Sequence, residues 1–176
     1  LGIPELREAV SRNYRDRYGL HVSPERVIIT NGSSGAFILL FAALLEQGRT
    51  LAIADPGYPC YRNIALLTDC AVRPLPVSAG TNYEVLPEQL DGPSTLDVLV
   101  VANPSNPTGT IYRPGSLNAL YERLSSRGGV LVVDEIYSGL VYDALFSSSA
   151  SISEDVIVVN GFSKAFAMTG WRLGWM

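Results

Sequence analysis

Lysine and arginine together number 13, and a single one of these is lysine, Lys164. A chain that draws its other positive charge from arginine yet keeps one amine points to chemistry a guanidinium cannot perform, since only the amine deprotonates readily enough to act as nucleophile or base. The plainer alternative is a compositional bias toward arginine with one surface lysine left over. The surroundings of Lys164 separate the two. It ends the stretch Asn160-Gly161-Phe162-Ser163-Lys164, which follows the apolar run Val156–Val159. Other apolar runs are also followed by polar or aromatic groups. Asn31-Gly32-Ser33-Ser34-Gly35 follows Val27–Thr30, and Asp55-Pro56-Gly57-Tyr58 follows Leu51–Ala54. Asn103 to Gly109 (Asn-Pro-Ser-Asn-Pro-Thr-Gly) follows Val98–Ala102, and Asp134-Glu135-Ile136-Tyr137 follows Val130–Val133. In an open α/β sheet the carboxyl ends of the strands are where ligands bind, so these groups, Lys164 included, are expected at one edge.

The elements that must position them are legible as alternating patterns. Those apolar runs, with Ala71–Val77, lack polar alternation and read as strands buried on both faces, as in a parallel sheet covered by helices. Pro4–Tyr18 places Leu6, Val10 and Tyr14 about a turn apart and stops at Gly19, which predicts a helix. Further helical stretches are predicted over Ala36–Glu46 and near Tyr61–Leu67, Gly115–Ser126 and Glu135–Leu140. Ser147–Ser153 reads as a tolerant surface loop. The fold class predicted is α/β.

Composition narrows the function classes. With 176 residues, 47% of them apolar, the chain is expected to form one domain with a substantial core. A net charge of −4 and a pI near 5.0, without a basic cluster, argue against nucleic-acid binding through counterion release. The longest apolar stretches, about ten residues, fall short of the ~20 that span a bilayer, and no signal peptide is visible. A cytoplasmic location without a membrane partner is therefore expected. Cys60 and Cys70 form neither a disulfide framework nor a metal motif. The single histidine, His21, reads as a surface residue and lacks the Gly-x-Ser-x-Gly elbow of a hydrolase triad. The chain begins Leu-Gly and stops at Trp175-Met176 within a pattern, which reads as part of a longer protein.

The strand-end groups suggest their own chemistry. Gly32-Ser33-Ser34-Gly35 offers free backbone N–H groups and hydroxyls at a helix start, which suits a phosphate; a simple helix cap is the alternative. Val130–Glu135 resembles the magnesium-binding strand of P-loop nucleotidases, but Lys164 is not preceded by the required glycine-rich loop. No Gly-x-Gly-x-x-Gly follows the first strand either, so both nucleotide readings fail. Asp134 is then a helix N-cap or a functional acid. A lysine amine, an acid, a phosphate cradle and an aromatic residue together fit pyridoxal phosphate, which needs a Schiff-base lysine and a carboxylate facing its pyridine nitrogen.

Asn103 to Gly109, Asp134-Glu-Ile-Tyr137 and Ser163-Lys-Ala-Phe-Ala-Met-Thr-Gly-Trp-Arg-Leu-Gly174, in that order, resemble the class I/II, fold-type I aminotransferases. The opening Gly-Ile-Pro-Glu-Leu-Arg-Glu-Ala-Val and Asp-Pro-Gly-Tyr-Pro are similar to that family too, so the resemblance covers the whole chain. It implies a three-layer sandwich with a mostly parallel central sheet, residues 1–176 being the cofactor-binding large domain without its N-terminal segment and small domain. It implies pyridoxal 5′-phosphate held through a Schiff base to Lys164. Asp134 would face the ring nitrogen, Tyr137 and Asn106 the 3′-oxygen, and Tyr58 the ring face. Arg172, Gly32, Ser33 and Ser34 would hold the phosphate, with help from Ser163. The activity implied is amino transfer from an L-amino acid to a 2-oxo acid by a homodimer. A C–S lyase or related enzyme of the same fold, or a non-catalytic cofactor-binding sensor, are the alternatives. Outside this set, Pro104 and Pro107 read as setting a rigid turn, Phe166 and Trp171 as packing, and Arg7, Arg12, Arg15 and Arg17 as a solvated helix face.

Overall fold

Successive strand residues point to opposite faces of a sheet, so a wholly apolar strand needs a core on each side. The chain satisfies this in a computed structural model that describes residues 1–92 and 96–176. In β2 (Thr50–Asp55), Leu51 and Ile53 enter one buried cluster and Ala52 the other. The alternation repeats in β4 (Val98–Ala102), where Val98 and Val100 oppose Leu99 and Val101, and in β5 (Val130–Asp134), where Val132 opposes Leu131 and Val133. In β6 (Ile157–Gly161), Val158 and Val159 part the same way. Each such side chain contributes roughly 1.5–3 kcal/mol on burial.

Helices cover both faces. On one side α2 (Gly32–Leu44) supplies Ala36, Phe37, Leu40 and Phe41, and α3 (Pro59–Ala65) supplies Tyr61 and Ala65. On the other, α4 (Ser116–Ser125) supplies Leu117, Leu120 and Leu124. α1 (Pro4–Tyr18) packs Val10 and Tyr14 against Val27 and Trp175. It ends where Gly19 turns left-handed at φ 68° and its N–H meets the Arg15 carbonyl. The result is the expected three-layer α/β sandwich.

With β1 (Ile29–Thr30), β3 (Ala71–Pro76) and β7 (Gly174–Trp175), the described residues form a sheet of seven strands in the order β1-β7-β6-β5-β4-β2-β3. Strands β6 to β3 along that order are parallel, whereas β7 runs antiparallel between β6 and β1. The chain goes from β2 outward to β3, then returns to the far side of β2 for β4, β5 and β6. The crevice at such a reversal is where α/β sheets bind ligands.

Several elements differ from expectation for physical reasons. The first strand is Ile29–Thr30 rather than Val27–Thr30, because the Val27 N–H closes a turn onto the Pro24 carbonyl. β7 has no apolar run to announce it and exists through pairing alone. Glu135–Leu140 is not an α-helix: Ser138 and Leu140 donate to the Glu135 and Tyr137 carbonyls, as in a 3₁₀ turn. A β-carbon on Gly139 would collide with that of Ala165, so this segment is drawn tightly against the loop that carries Lys164. α3 starts at Pro59 and ends at Ala65, short of Leu67.

On α1 the solvated-face reading holds for Arg12 and Arg15 but not for Arg7, whose side chain is 12% exposed with Glu25 at 3.7 Å. Trp171 is 74% exposed, so it is no packing residue in this chain, and Phe166 stacks on Phe162 while remaining partly exposed. Among the described residues no helix is long and apolar enough to cross a membrane.

Candidate active site

β5 ends in Asp134, whose backbone pairs with Ala102 of β4 and Val159 of β6 in the middle of the sheet. This places a carboxyl at 3% exposure, in a setting that penalises charge. Burial pushes Asp134 up to about 6, against hydrogen bonds that favour the anion: the Tyr61 hydroxyl donates to Oδ2 at 2.7 Å and the Ile136 N–H to Oδ1 at 3.1 Å. A carboxylate carries four lone-pair sites, so both oxygens keep capacity for another donor. Asp134 thus begins no helix, and the N-cap alternative falls.

Beside it Tyr137 is half-buried, and the Lys164 Nζ stands 5.6 Å from the Tyr137 ring centroid. Lys164 itself is exposed, and the loop that carries it meets solvent on its outer side. That loop is nonetheless braced. Ala167 donates to the Lys164 carbonyl, Met168 to that of Phe162, and Phe162 to that of Leu173 just beyond the β6–β7 pairing. The Thr169 hydroxyl donates to the Ser163 carbonyl at 2.7 Å.

Arg172 arrives on a left-handed residue, φ 50°, with Nη1 donating to the Thr169 carbonyl at 3.0 Å. Its other terminal nitrogen lies 2.7 Å from where a β-carbon on Gly32 would stand, and Gly32 has φ 72°. Glycine is required there twice, by backbone conformation and by space. Gly174 has the same function one layer deeper, since a β-carbon on it would come within 2.7 Å of the Gly32 carbonyl carbon and 2.8 Å of the Ser33 nitrogen. β7 can therefore press against the start of α2, which opens without a side-chain cap. Its first N–H groups, Ser33 and Ser34 are left beside a guanidinium, a combination that suits a phosphate dianion.

The opposite wall comes from β2 and β4. Tyr58, just before α3, and Asn106 line one small hollow together with Tyr61, Tyr83 and Tyr112. A contact with the Cys60 thiol, burial and the nearby Asp134 push the Tyr58 phenol up to about 12. Asn106 sits in a loop whose Asn103 is buried, accepting the Tyr112 N–H at 3.0 Å. Pro104 and Pro107 both follow cis peptide bonds in this tight turn. The residues singled out in the sequence therefore come from four strand ends and one helix start at one edge of the sheet.

Three contributors escaped sequence reading. Tyr61 stands one helical turn after Tyr58, a spacing that could have signalled a shared face. Glu135 is fully buried and accepts the Ser148 hydroxyl at 2.8 Å and the Ser149 N–H at 2.6 Å; burial pushes it up to about 7 despite those bonds. Within Ser147–Ser153, Ser148 and Ser149 are consequently not tolerant surface positions but the buried anchor of that carboxyl. Glu84, also buried, clamps the segment after the Asn-Pro turn through Arg113 and Ser116. Burial works to raise its carboxyl, but donors from Arg113, Asn82 and Ser116 outweigh it and hold Glu84 below its usual value.

The family model for aminotransferase class I and II matches residues 1–176, and the chain belongs to that family. It is 45% identical over its whole length to the valine–pyruvate aminotransferase of Mycobacterium tuberculosis, covering 46% of that protein. Over 99% of the chain it is 32% identical to the aspartate aminotransferase of Thermotoga maritima, covering 48% of it. An aminotransferase crystal structure from M. tuberculosis superposes with a TM-score of 0.96 at 44% identity, over 99% of this chain and 46% of that one. The aspartate aminotransferase of Thermus thermophilus with maleate gives 0.92 at 36% identity, over 99% and 46% respectively. The chain spans about half the length of the relatives it matches.

Proposed function

We propose that this chain is the cofactor-binding part of a pyridoxal-phosphate-dependent aminotransferase that moves an amino group from an L-amino acid to a 2-oxo acid. The observation that supports the reading is that the strand ends bearing Asp134, Tyr137 and Lys164, together with Arg172 and the start of α2, share one edge of the sheet, with Lys164 near the Tyr137 ring and Arg172 beside Gly32. The residues fit the group: a buried acid with spare acceptor capacity lies at one end and a glycine-lined cradle beside an arginine at the other. When bound, pyridoxal phosphate supplies an aldehyde carbon that condenses with amines and a ring that draws off electrons from the substrate's α-carbon.

The chain's own residues do the remainder. Arg172, Ser33, Ser34 and the N–H groups following Gly32 bind the phosphate, with Ser163 beside them. Asp134 orients the ring nitrogen and keeps a proton on it, and such a cation in turn favours the carboxylate form of Asp134. Tyr58 covers a ring face, while Tyr137 and Asn106 donate toward the 3′-oxygen. Lys164, as the free amine, would take the proton from the substrate's α-carbon and deliver it to the former aldehyde carbon on the far side of the nitrogen, two bonds away.

The relatives named above act on valine with pyruvate or on aspartate, which supports small aliphatic or acidic amino acids as donors. We further propose a cytoplasmic homodimer. The aminotransferase names of these relatives favour transfer over a C–S lyase or a sensor.

Titration of the purified chain with pyridoxal phosphate, borohydride reduction and peptide mapping test the site. A reduced adduct on Lys164 is expected, and none in Lys164→Ala. A folded wild-type chain with no adduct, or with the adduct only at its N-terminus, would refute the reading. With an adduct in hand, conversion of valine or aspartate to its 2-oxo acid separates transfer from elimination.

A further inference from the structure

Tyr61 touches two members of the site without belonging to the set read from the sequence. Its hydroxyl donates to Asp134 Oδ2 at 2.7 Å. Its ring meets the Tyr58 ring edge-on with centroids 5.4 Å apart and packs on Phe37 at 4.8 Å. Both Tyr61 and Asp134 are 3% exposed, so no water competes for this bond. A hydrogen bond to a charged group made in such surroundings is among the stronger ones, and its loss leaves a carboxylate oxygen without a donor. Burial and the Asp134 charge hold the Tyr61 phenol well above its ordinary range, so it stays a donor throughout the working pH range. The other ionisable groups around Asp134 are Tyr58 from the start of α3 and Glu135 and Tyr137 from the turn after β5, with Lys164 beyond the Tyr137 ring. Phe37, from α2, brings no charge.

We propose that Tyr61 is a positioning residue of the cofactor site: its O–H fixes Asp134 as an oriented anion toward the ring nitrogen, while its ring props Tyr58 at the ring face. This rests on the cofactor reading given above. One side chain thereby links the grip on the ring's edge to the cover on its face. The competing view is that Tyr61 only fills the core beneath α3, in which case its hydroxyl is incidental. Tyr61→Phe separates the two, because it keeps the ring against Phe37 and Tyr58 and removes the donor alone.

The test follows the ¹³C resonance of the Asp134 carboxyl, assigned with Asp134→Asn, against pH in the chain without cofactor. The titration midpoint should rise by about one unit in Tyr61→Phe, as befits loss of a bond to a charged group. Replacing Tyr61 with 3-fluorotyrosine, a stronger donor of nearly the same shape, should move it down; this variant also serves if the Phe chain does not fold. Pyridoxal phosphate should bind about 10-fold more weakly to Tyr61→Phe, and Tyr61→Phe should cost little more in an Asp134→Asn background. Normal cofactor uptake by wild type with a midpoint unmoved in both variants, or an equal loss in both backgrounds, overturns the assignment to Tyr61. A wild-type chain that takes up no cofactor overturns the cofactor reading itself, and the role assigned to Tyr61 there falls with it.

Discussion

The two ends of the crevice are built in opposite ways. At the Asp134 end every group is buried and bonded, Asp134 by Tyr61 and Ile136, Glu135 by Ser148 and Ser149. At the Lys164 end the amine and the Arg172 guanidinium stand in solvent, held by backbone bonds and close glycine contacts rather than by charged partners. The difference suits the work proposed for each end. An acid that must orient a ring needs a fixed position, and the sheet interior gives one at the expense of desolvation. Groups that must meet an incoming phosphate and a moving substrate need access, and a loop braced at its base gives that.

The largest effect that would break this contrast lies at the open end. Lys164→Arg keeps the charge but supplies no usable amine, so the borohydride-fixed adduct should vanish altogether with the thermal midpoint unchanged; a persisting adduct elsewhere in the crevice would undo the distinction. The next lies at the buried end. Folded, Glu135 holds its proton to about pH 7, whereas its ordinary value is 4.5. The folded chain therefore binds more protons than the unfolded chain between those values, and stability falls as pH rises through that window and levels off above it. Asp134 adds the same sign from its ordinary 3.8 to about 6. Glu135→Gln should flatten the decline above pH 6 and raise stability at pH 8 by roughly 3 kcal/mol in urea melts run across pH.

A smaller effect probes the glycine cradle. Gly32→Ala should cost about 1 kcal/mol from its positive φ and weaken pyridoxal phosphate about 10-fold while leaving pyridoxal, which lacks the phosphate, nearly untouched. Equal losses for both ligands would mean that Arg172 and α2 do not act on the phosphate. The smallest is Trp171→Ala, expected to change the stability of this chain by less than about 0.5 kcal/mol because the side chain is exposed.

How much of this was legible depended on where the information resides. Strands β2, β4, β5 and β6 could be read because their unbroken apolar runs carry their own signal, and the polar groups after them could be ordered by a general rule of α/β sheets. Residues whose role comes from a partner distant in sequence could not. Tyr61 lies 73 positions from Asp134, and no local pattern marks the bond between them. Ser148 and Ser149 read as part of a tolerant surface loop because serine in a loop is the same letter whether it faces water or a buried carboxyl. Arg7 looked solvated because helix periodicity cannot tell which charged residue lies along the packed edge. Gly174 and Gly32 were visible as glycines, but only the fold shows that they let β7 reach the start of α2.

The central sheet also divides the molecule's interior into compartments. Leu51, Val98 and Val132 pack on one side, while Leu99, Leu131 and Leu120 pack on the other, with backbone ladders between them. Side-chain volumes on the α4 side can therefore be exchanged without passing strain to the layer that supports Tyr61 and the start of α2. A designer seeking a sturdier version would alter the α4 layer first, where gains should add independently of the site. The α2 and α3 layer would be reserved for changes meant to retune the cofactor's environment.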